Sequence, residues 1–474
     1  MTSTADTGPE PTRGSQRLEP GPSAPQAPRR LVSRVIPLAD ELDPLDLVGD
    51  DGFVWRSVAG TLVGTGVAAR IPVGIGPGRI ERAAEAVATI LEAAEVEDDG
   101  SGLGPAAVGA LPFHPANRGE LVVPSLLLRT DPQGRTWAVL TEPGAFDPPP
   151  AADLLARLRA TTREDVRWPT ARRLDGPWPR GGSGDTGLTG GAGGAGLWTT
   201  GSAQLPGRVA AGLEAWRAAV LAALEAIGAG RLDKVVLARE AAVAAEWPFP
   251  RAELLRRLQR RPGGSTFLYA SGGFVGASPE LLVRRRGRVA TSRPMAGTVP
   301  QGDGAGAGAD GLARLTGSPK EAVEHRLVVD AVAEGLAKVA DRVQVGLPEV
   351  VRLATVAHLA TEITADLTGP LPTALELAGL LHPTPAVGGS PRDAALAAIA
   401  ALEPFDRGCY AGPVGWVDRA GDGEWAVALR GATLEGRHAR LVAGAGIVPG
   451  SDPDAEWAET EHKLRAMLEV LLSP

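Results

Sequence analysis

The chain has 474 residues, 44% of them hydrophobic, which is enough for one large domain or two ordinary ones. Its 48 basic and 56 acidic residues leave a net charge of −8, which excludes the cationic footprint of a nucleic-acid binder. The single cysteine, Cys409, excludes an internal disulfide framework and suits a reducing cytoplasm, and no apolar run approaches the roughly 18 residues of a membrane span.

Residues 1–30 are rich in Pro, Ser, Thr and Gly, carry no hydrophobic signal core, and are expected to form a disordered arm. Residues 31–204 read as the N-terminal part of the domain. A helix is expected over residues 80–94, where Ile80, Ala84, Val87 and Leu91 recur at three- and four-residue spacing. Residues 121–129 and 136–141 are expected as strands paired across the turn Asp131-Pro132-Gln133-Gly134. Residues 181–196 read as a Gly-rich flexible insert. A second glycine loop, residues 302–311, has no Lys-Ser/Thr after it and is read as a solvent loop rather than a phosphate-binding one.

Residues 205–474 carry most of the chemistry-bearing side chains. A helix over residues 208–227 precedes a strand, Asp233-Lys234-Val235-Val236-Leu237-Ala238-Arg239. A lysine in such an apolar strand is unfavourable unless it is paired or titrates low. With a lowered pKa it is a usable general base; the plainer alternative is a lysine that snorkels to water. Strands follow at residues 267–270, 273–277 and 281–285, and helices at 318–340 and 394–401. Residues 425–433 and 440–443 read as a hairpin around Glu435-Gly436-Arg437, and a final helix spans about 453–472. Cys409 is expected to be a small buried residue rather than a nucleophile.

Several charged residues sit on apolar faces. Ser318 is a good N-cap, Pro319 fits the first helical position, and Glu321 completes a capping box. Glu324 has no such explanation, because its face continues through Val328, Ala331, Val332, Leu336 and Val339. It needs a partner or a metal there, or it lies at the stripe's end and reaches solvent. On the last helix Glu456 and Glu459 lie three apart, and Glu459 forms an i,i+4 pair with Lys463, worth only ~0.2–0.5 kcal/mol on a surface. These residues are either a solvated ion-pair face or half of an oxygen-ligand set. Two Glu-x-x-Glu pairs, Glu321/Glu324 and Glu456/Glu459, suit one hard cation such as Mg(II). Arg430 ends the apolar run Trp425-Ala426-Val427-Ala428-Leu429. Pointing inward it would clamp a carboxylate; otherwise it is an exposed strand end.

Eight blocks carry a family resemblance: Asp233 to Arg239, Gly276-Ala277-Ser278-Pro279-Glu280-Leu281-Leu282, Arg293-Pro294-Met295-Ala296-Gly297-Thr298, Ser318-x-Lys320-Glu321-x-x-Glu324-His325, His358-Leu359-Ala360-Thr361, Leu381-His382-Pro383-Thr384-Pro385-Ala386-Val387-Gly388-Gly389, Ala443-Gly444-Ala445-Gly446-Ile447-Val448, and Glu456-Trp457-x-Glu459-Thr460-x-x-Lys463. In that order they resemble the chorismate-utilising enzymes, and within them isochorismate synthase. The resemblance covers roughly residue 205 to the end; before that only the overall pattern is similar.

The resemblance implies an α/β (α+β) fold: one large chorismate-binding domain with two packed, mainly antiparallel sheets flanked by helices. It implies Mg(II), with Glu324 and Glu459 as ligands and Glu321 and Glu456 as nearby or water-mediated partners. Arg430 and Tyr410 match positions that touch substrate, as do Thr384 and Gly388, while Lys463 and the backbone of Gly444, Ala445 and Gly446 line the same pocket. His358 sits near the ring in relatives. Lys234 points to water as the nucleophile, since ammonia-using members usually carry glutamine there, and Ala296 stands where aminodeoxychorismate synthases place a nucleophilic lysine. Lys234 is then expected to deprotonate water for addition at C2 of chorismate, and Glu280 to protonate the departing C4 hydroxyl. Salicylate synthases share these motifs, so pyruvate elimination stays open, as does a menaquinone or a siderophore destination. The remaining rival is a chorismate-binding subunit that partners an amidotransferase. The expectation is a cytoplasmic monomer without an obligate glutaminase, a membrane or a nucleic acid as partner. Val299 and Gln301 replace arginines usual in the family.

Overall fold

The structure is a computed structural model, and it describes residues 30–38, 42–49, 51–160, 167–174, 212–261, 267–300, 315, 317, 319–353 and 356–473. The expected arm, both glycine-rich segments, Ser318 and Gln301 lie outside the described residues, apart from Arg30.

Two large sheets pack face to face, one of thirteen strands and one of nine. Their shared core sets Val35, Phe53, Trp55, Leu62 and Phe267 of the larger sheet against Ala106, Val108, Leu281, Val414, Trp416 and Ala426 of the smaller. Trp55 Nε1 donates to Glu424 Oε2 across this interface at 2.8 Å, so the one buried carboxylate there is satisfied. Each sheet joins a block of strands from the N-terminal half to a block from the C-terminal half. Phe53–Ser57 pairs with Phe267–Ser271, and Ala106–Ala110 pairs with Pro413–Asp418. Residues 31–160 and the C-terminal half therefore share one core.

Helices cover the outer faces. Ala151–Ala160, Arg251–Gln259 and Pro453–Leu472 bury leucines on the larger sheet. Arg79–Glu92, Leu213–Gly228, Pro319–Ala337, Ala374–Leu381 and Arg392–Leu402 share the other large cluster. The last helix begins as its sequence dictates: Asp452 caps the amides of Asp454 and Ala455, and Pro453 occupies the first turn.

A third sheet of three strands stands apart: Met295–Pro300, Val356–Ala360 and Glu349–Arg352. It carries His358. Beneath it Val299 packs with Leu315, Ala357 and Leu359 in a small apolar cluster, so the side chain that replaces an arginine faces inward.

Two expected strands are each split. Residues 121–129 divide into Gly119–Val123 in the nine-stranded sheet and Leu126–Thr130 in the thirteen-stranded one. Residues 425–433 divide into Gly423–Val427 and Gly431–Glu435, again in different sheets. Apolar residues run up to each crossing, Leu121 to Val123 and Leu126 to Leu128 at the first and Trp425 to Leu429 at the second, so no change of polarity marks it. The second crossing places Arg430 in the left-handed region, at φ 52.

Candidate active site

Lys234 opens the strand Lys234–Ala245, which pairs antiparallel with His438–Ile447 in a register that sets Val236 opposite Gly446 and Ala238 opposite Gly444. The side chain does not snorkel: it is 1% exposed. Its Nζ donates to Glu324 Oε1 at 2.7 Å, from the strand to the helix Pro319–Ala337. Glu324, on the apolar face, thus finds its partner in Lys234. In this arrangement Lys234 is a donor; to accept a proton it must part from Glu324 and first give one up.

Gly446 makes room for that pair. A Cβ there would stand 2.7 Å from Glu324 Oε1 and 3.0 Å from Lys234 Cε. Gly444, on the same face two residues earlier, would set a Cβ 3.3 Å from the Tyr410 hydroxyl. Ala445 points the opposite way, into the hydrophobic core, so only its backbone can line a site. Gly444 O accepts from Lys463 Nζ at 2.9 Å, and the same ammonium is 2.6 Å from Glu459 Oε1.

Glu280 follows the strand Phe274–Ser278 and is 3% exposed. Burial pushes its carboxyl up to about 8, against a backbone hydrogen bond from Met295 and the charges of Lys234, Lys463 and Arg430, which pull it down. A carboxyl held this way is protonated at neutral pH and can donate a proton. The same three cations mark where the strand, the last helix and the sheet crossing converge.

His358 is buried, and its Nδ1 lies 3.0 Å from Gly297 O. Its Nε2 is 3.1 Å from Arg430 Nη2. Burial and the Arg430 charge bring its pKa down to about 3, so the ring is neutral. Glu321 accepts the Thr298 amide at 3.1 Å, beside Gly297, whose φ is 73. Glu456 is 4% exposed on the last helix.

Thr384 Oγ1 is buried without a hydrogen-bond partner, which leaves it available to a ligand. The Thr384 carbonyl accepts the Gly388 amide, and Gly388 O accepts the Val236 amide at 2.9 Å, which ties this loop to the Lys234 strand. Tyr410 is buried, and its hydroxyl titrates high because of it.

One supporting pair escaped the sequence reading. Arg407 and Glu403 are 4% and 5% exposed and bond each other, Nε to Oε2 at 2.9 Å. Arg407 also donates to Val236 O and Val387 O, and Glu403 accepts the Ala238 amide. Their i,i+4 spacing was the available signal, but it commonly marks a surface pair. His325, one residue after Glu324, is buried, with Nε2 2.7 Å from Thr361 Oγ1 and Nδ1 unpaired.

Among the described residues no three acidic, histidine or cysteine side chains stand close enough to hold a metal. The four glutamates fit a hard dication in donor type, and Glu324 and Glu459 meet the same backbone stretch, Gly444 to Gly446, each facing a lysine there.

A neutral acid, a buried lysine and an arginine within one another's field make an acid–base site suited to an anionic ligand. The chain belongs to the chorismate binding enzymes, whose family model matches residues 201–472. Isochorismate synthase DhbC of Bacillus subtilis is 43% identical over 259 residues, 52% of this chain and 65% of that protein. Isochorismate synthase EntC of Escherichia coli is 41% identical over 245 residues, 51% of this chain and 62% of that one. The matched stretch thus spans less than two thirds of either relative. Solved structures are similar over more of the chain. A putative 2,3-dihydroxybenzoate-specific isochorismate synthase from Bacillus anthracis superposes with TM-score 0.69 at 28% identity, covering 90% of this chain and 98% of that one. The menaquinone-specific isochorismate synthase MenF of Escherichia coli gives 0.71 at 26%, covering 94% and 96%. Among the described residues no helix is long and apolar enough to cross a membrane.

Proposed function

We propose that this chain is an isochorismate synthase that interconverts chorismate and isochorismate with Mg(II). The observation that carries the reading is Glu280, a buried carboxyl raised to about 8 in the field of Lys234, Lys463 and Arg430. Such a group protonates a leaving hydroxyl at neutral pH, and the three cations offer sites for a substrate with two carboxylates.

Lys234, once parted from Glu324 and having given its extra proton to solvent, takes a proton from water as the water oxygen bonds to C2. The ring double bonds shift, the C4–O bond breaks, and Glu280 gives its proton to the departing hydroxyl, which leaves as water. Each group ends in the other's starting protonation state, so the same pair runs the reverse reaction. Arg430, held by His358, clamps a carboxylate or the enolpyruvyl group; Tyr410, Thr384, Gly388, Lys463 and the 444–446 backbone complete the pocket. Glu324 and Glu459, with Glu321 and Glu456 beside them, would hold Mg(II), which when bound neutralises and orients the ring carboxylate.

The test is product analysis of the purified chain incubated with chorismate and Mg(II). Isochorismate is expected, without salicylate fluorescence or matching pyruvate. Lys234→Gln and Glu280→Gln are expected to lose conversion while staying folded. Turnover near the parent's in either variant overturns the assignment, and salicylate with equimolar pyruvate replaces it by a salicylate synthase.

A further inference from the structure

Two of the four glutamates assigned to the cation already hold a positive charge. Lys234 Nζ lies 2.7 Å from Glu324 Oε1, and Lys463 Nζ lies 2.6 Å from Glu459 Oε1. The pairs bracket one short stretch of backbone. Gly446 lies against Glu324 Oε1 and Lys234 Cε, and Gly444 O takes a second bond from Lys463. All four side chains are no more than 24% exposed, so neither carboxylate is left to bulk water.

We propose that Lys234 and Lys463 are resident counter-cations that a divalent ion displaces, so that metal occupancy and release of Lys234 from Glu324 are one event. This rests on the metal reading above. Two partly buried carboxylates facing one pocket repel each other, and two ammonium groups hold them until a dication delivers the same total charge. The exchange leaves the charge on the carboxylates balanced throughout. It also turns both lysines loose beside the substrate, where Lys463 can meet a substrate carboxylate and Lys234 can give up its proton and act as the base. By reciprocity, substrate that engages Lys463 tightens the metal, and metal that displaces Lys463 tightens the substrate. The candidate base is therefore tied up whenever the pocket is empty.

The experiment is calorimetric titration of Mg(II) into the full chain without chorismate. It compares the parent with Lys234→Met, Lys463→Met, Glu324→Gln and Arg430→Met. Losing a competing ion pair of this partly buried kind is expected to tighten Mg(II) about tenfold in each lysine variant, although neither turns over. Arg430→Met removes a nearby positive charge that no glutamate is bonded to, and is expected to change affinity far less. Unchanged or weaker affinity in both lysine variants overturns the proposal, as does an equal gain in Arg430→Met. A parent that binds no better than Glu324→Gln removes the metal assignment itself, whereas a parent that does bind, with lysine variants no tighter, removes only the displacement.

Discussion

Arg430 Nη2 stands 3.1 Å from Nε2 of His358, and because a guanidinium can only donate, His358 must accept there. The ring proton is then on Nδ1, 3.0 Å from the Gly297 carbonyl. With its pKa brought down to about 3 by burial and by Arg430, His358 keeps this tautomer through the physiological range. His358→Phe preserves the ring but removes both bonds. Arg430 then loses its fixed direction, and KM for chorismate is expected to rise about tenfold, the order of one hydrogen bond to a charged group. Steady-state kinetics checks this. Above pH 5 the parent is expected to show no inflection from His358.

Glu280 makes both the activity and the stability of the parent fall as pH rises, a dependence that its amide lacks. Its carboxyl titrates at about 8 when folded against 4.5 for an ordinary one, so between those values the native state holds a proton the unfolded chain has lost. Stability from this group is therefore lost as pH rises through that window. Glu280→Gln has no such proton. Its melting temperature is expected to exceed the parent's by a margin that grows from pH 5 to about 8, while parent turnover declines as pH climbs past about 8. A margin that shrinks with pH contradicts the assignment.

The sequence showed most of the elements around the site, and it showed the chemistry more clearly than the connections. Misplaced charges on apolar faces, Lys234 and Glu324, were legible because burying either alone is so unfavourable. That they answer each other was not, since 90 residues and a change from strand to helix separate them. The two chain crossings between sheets, at Pro124-Ser125 and Ala428 to Arg430, were hidden because apolar residues run up to each of them without a polar break. In the third sheet, with His358 on it, Met295–Pro300 pairs with Val356–Ala360 across a wide sequence gap that no local pattern reveals, and the short hairpin from Glu349 to Ala360 was not read as strands.

Gly446 can be tested without touching a charged group. The atoms a Cβ would press on are Glu324 Oε1 and Lys234 Cε, both at the ends of flexible side chains, so the backbone need not move. Gly446→Ala is expected to fold with a melting temperature near the parent's. Its turnover is expected to fall on the order of a hundredfold, as sub-ångström to 1 Å displacements of catalytic groups do. Equal losses of turnover and thermal stability would instead indicate general disruption.

Arg407 ties the Lys234 strand to the Thr384–Gly388 loop, donating to Val236 O at 2.7 Å and to Val387 O at 2.8 Å while Glu403 takes the Ala238 amide at 2.8 Å. Arg407→Met leaves Glu403 buried without its counter-charge and two carbonyls unpaired. The expected loss is about 3–5 kcal/mol in urea unfolding, the range for breaking a buried pair from one side. Adding Glu403→Gln removes the stranded charge, so the double variant is expected to recover part of that loss. Residues in direct contact should be non-additive in this way. Strict additivity of the two single losses would show that the pair is not coupled, and that Arg407 acts through its carbonyl contacts alone.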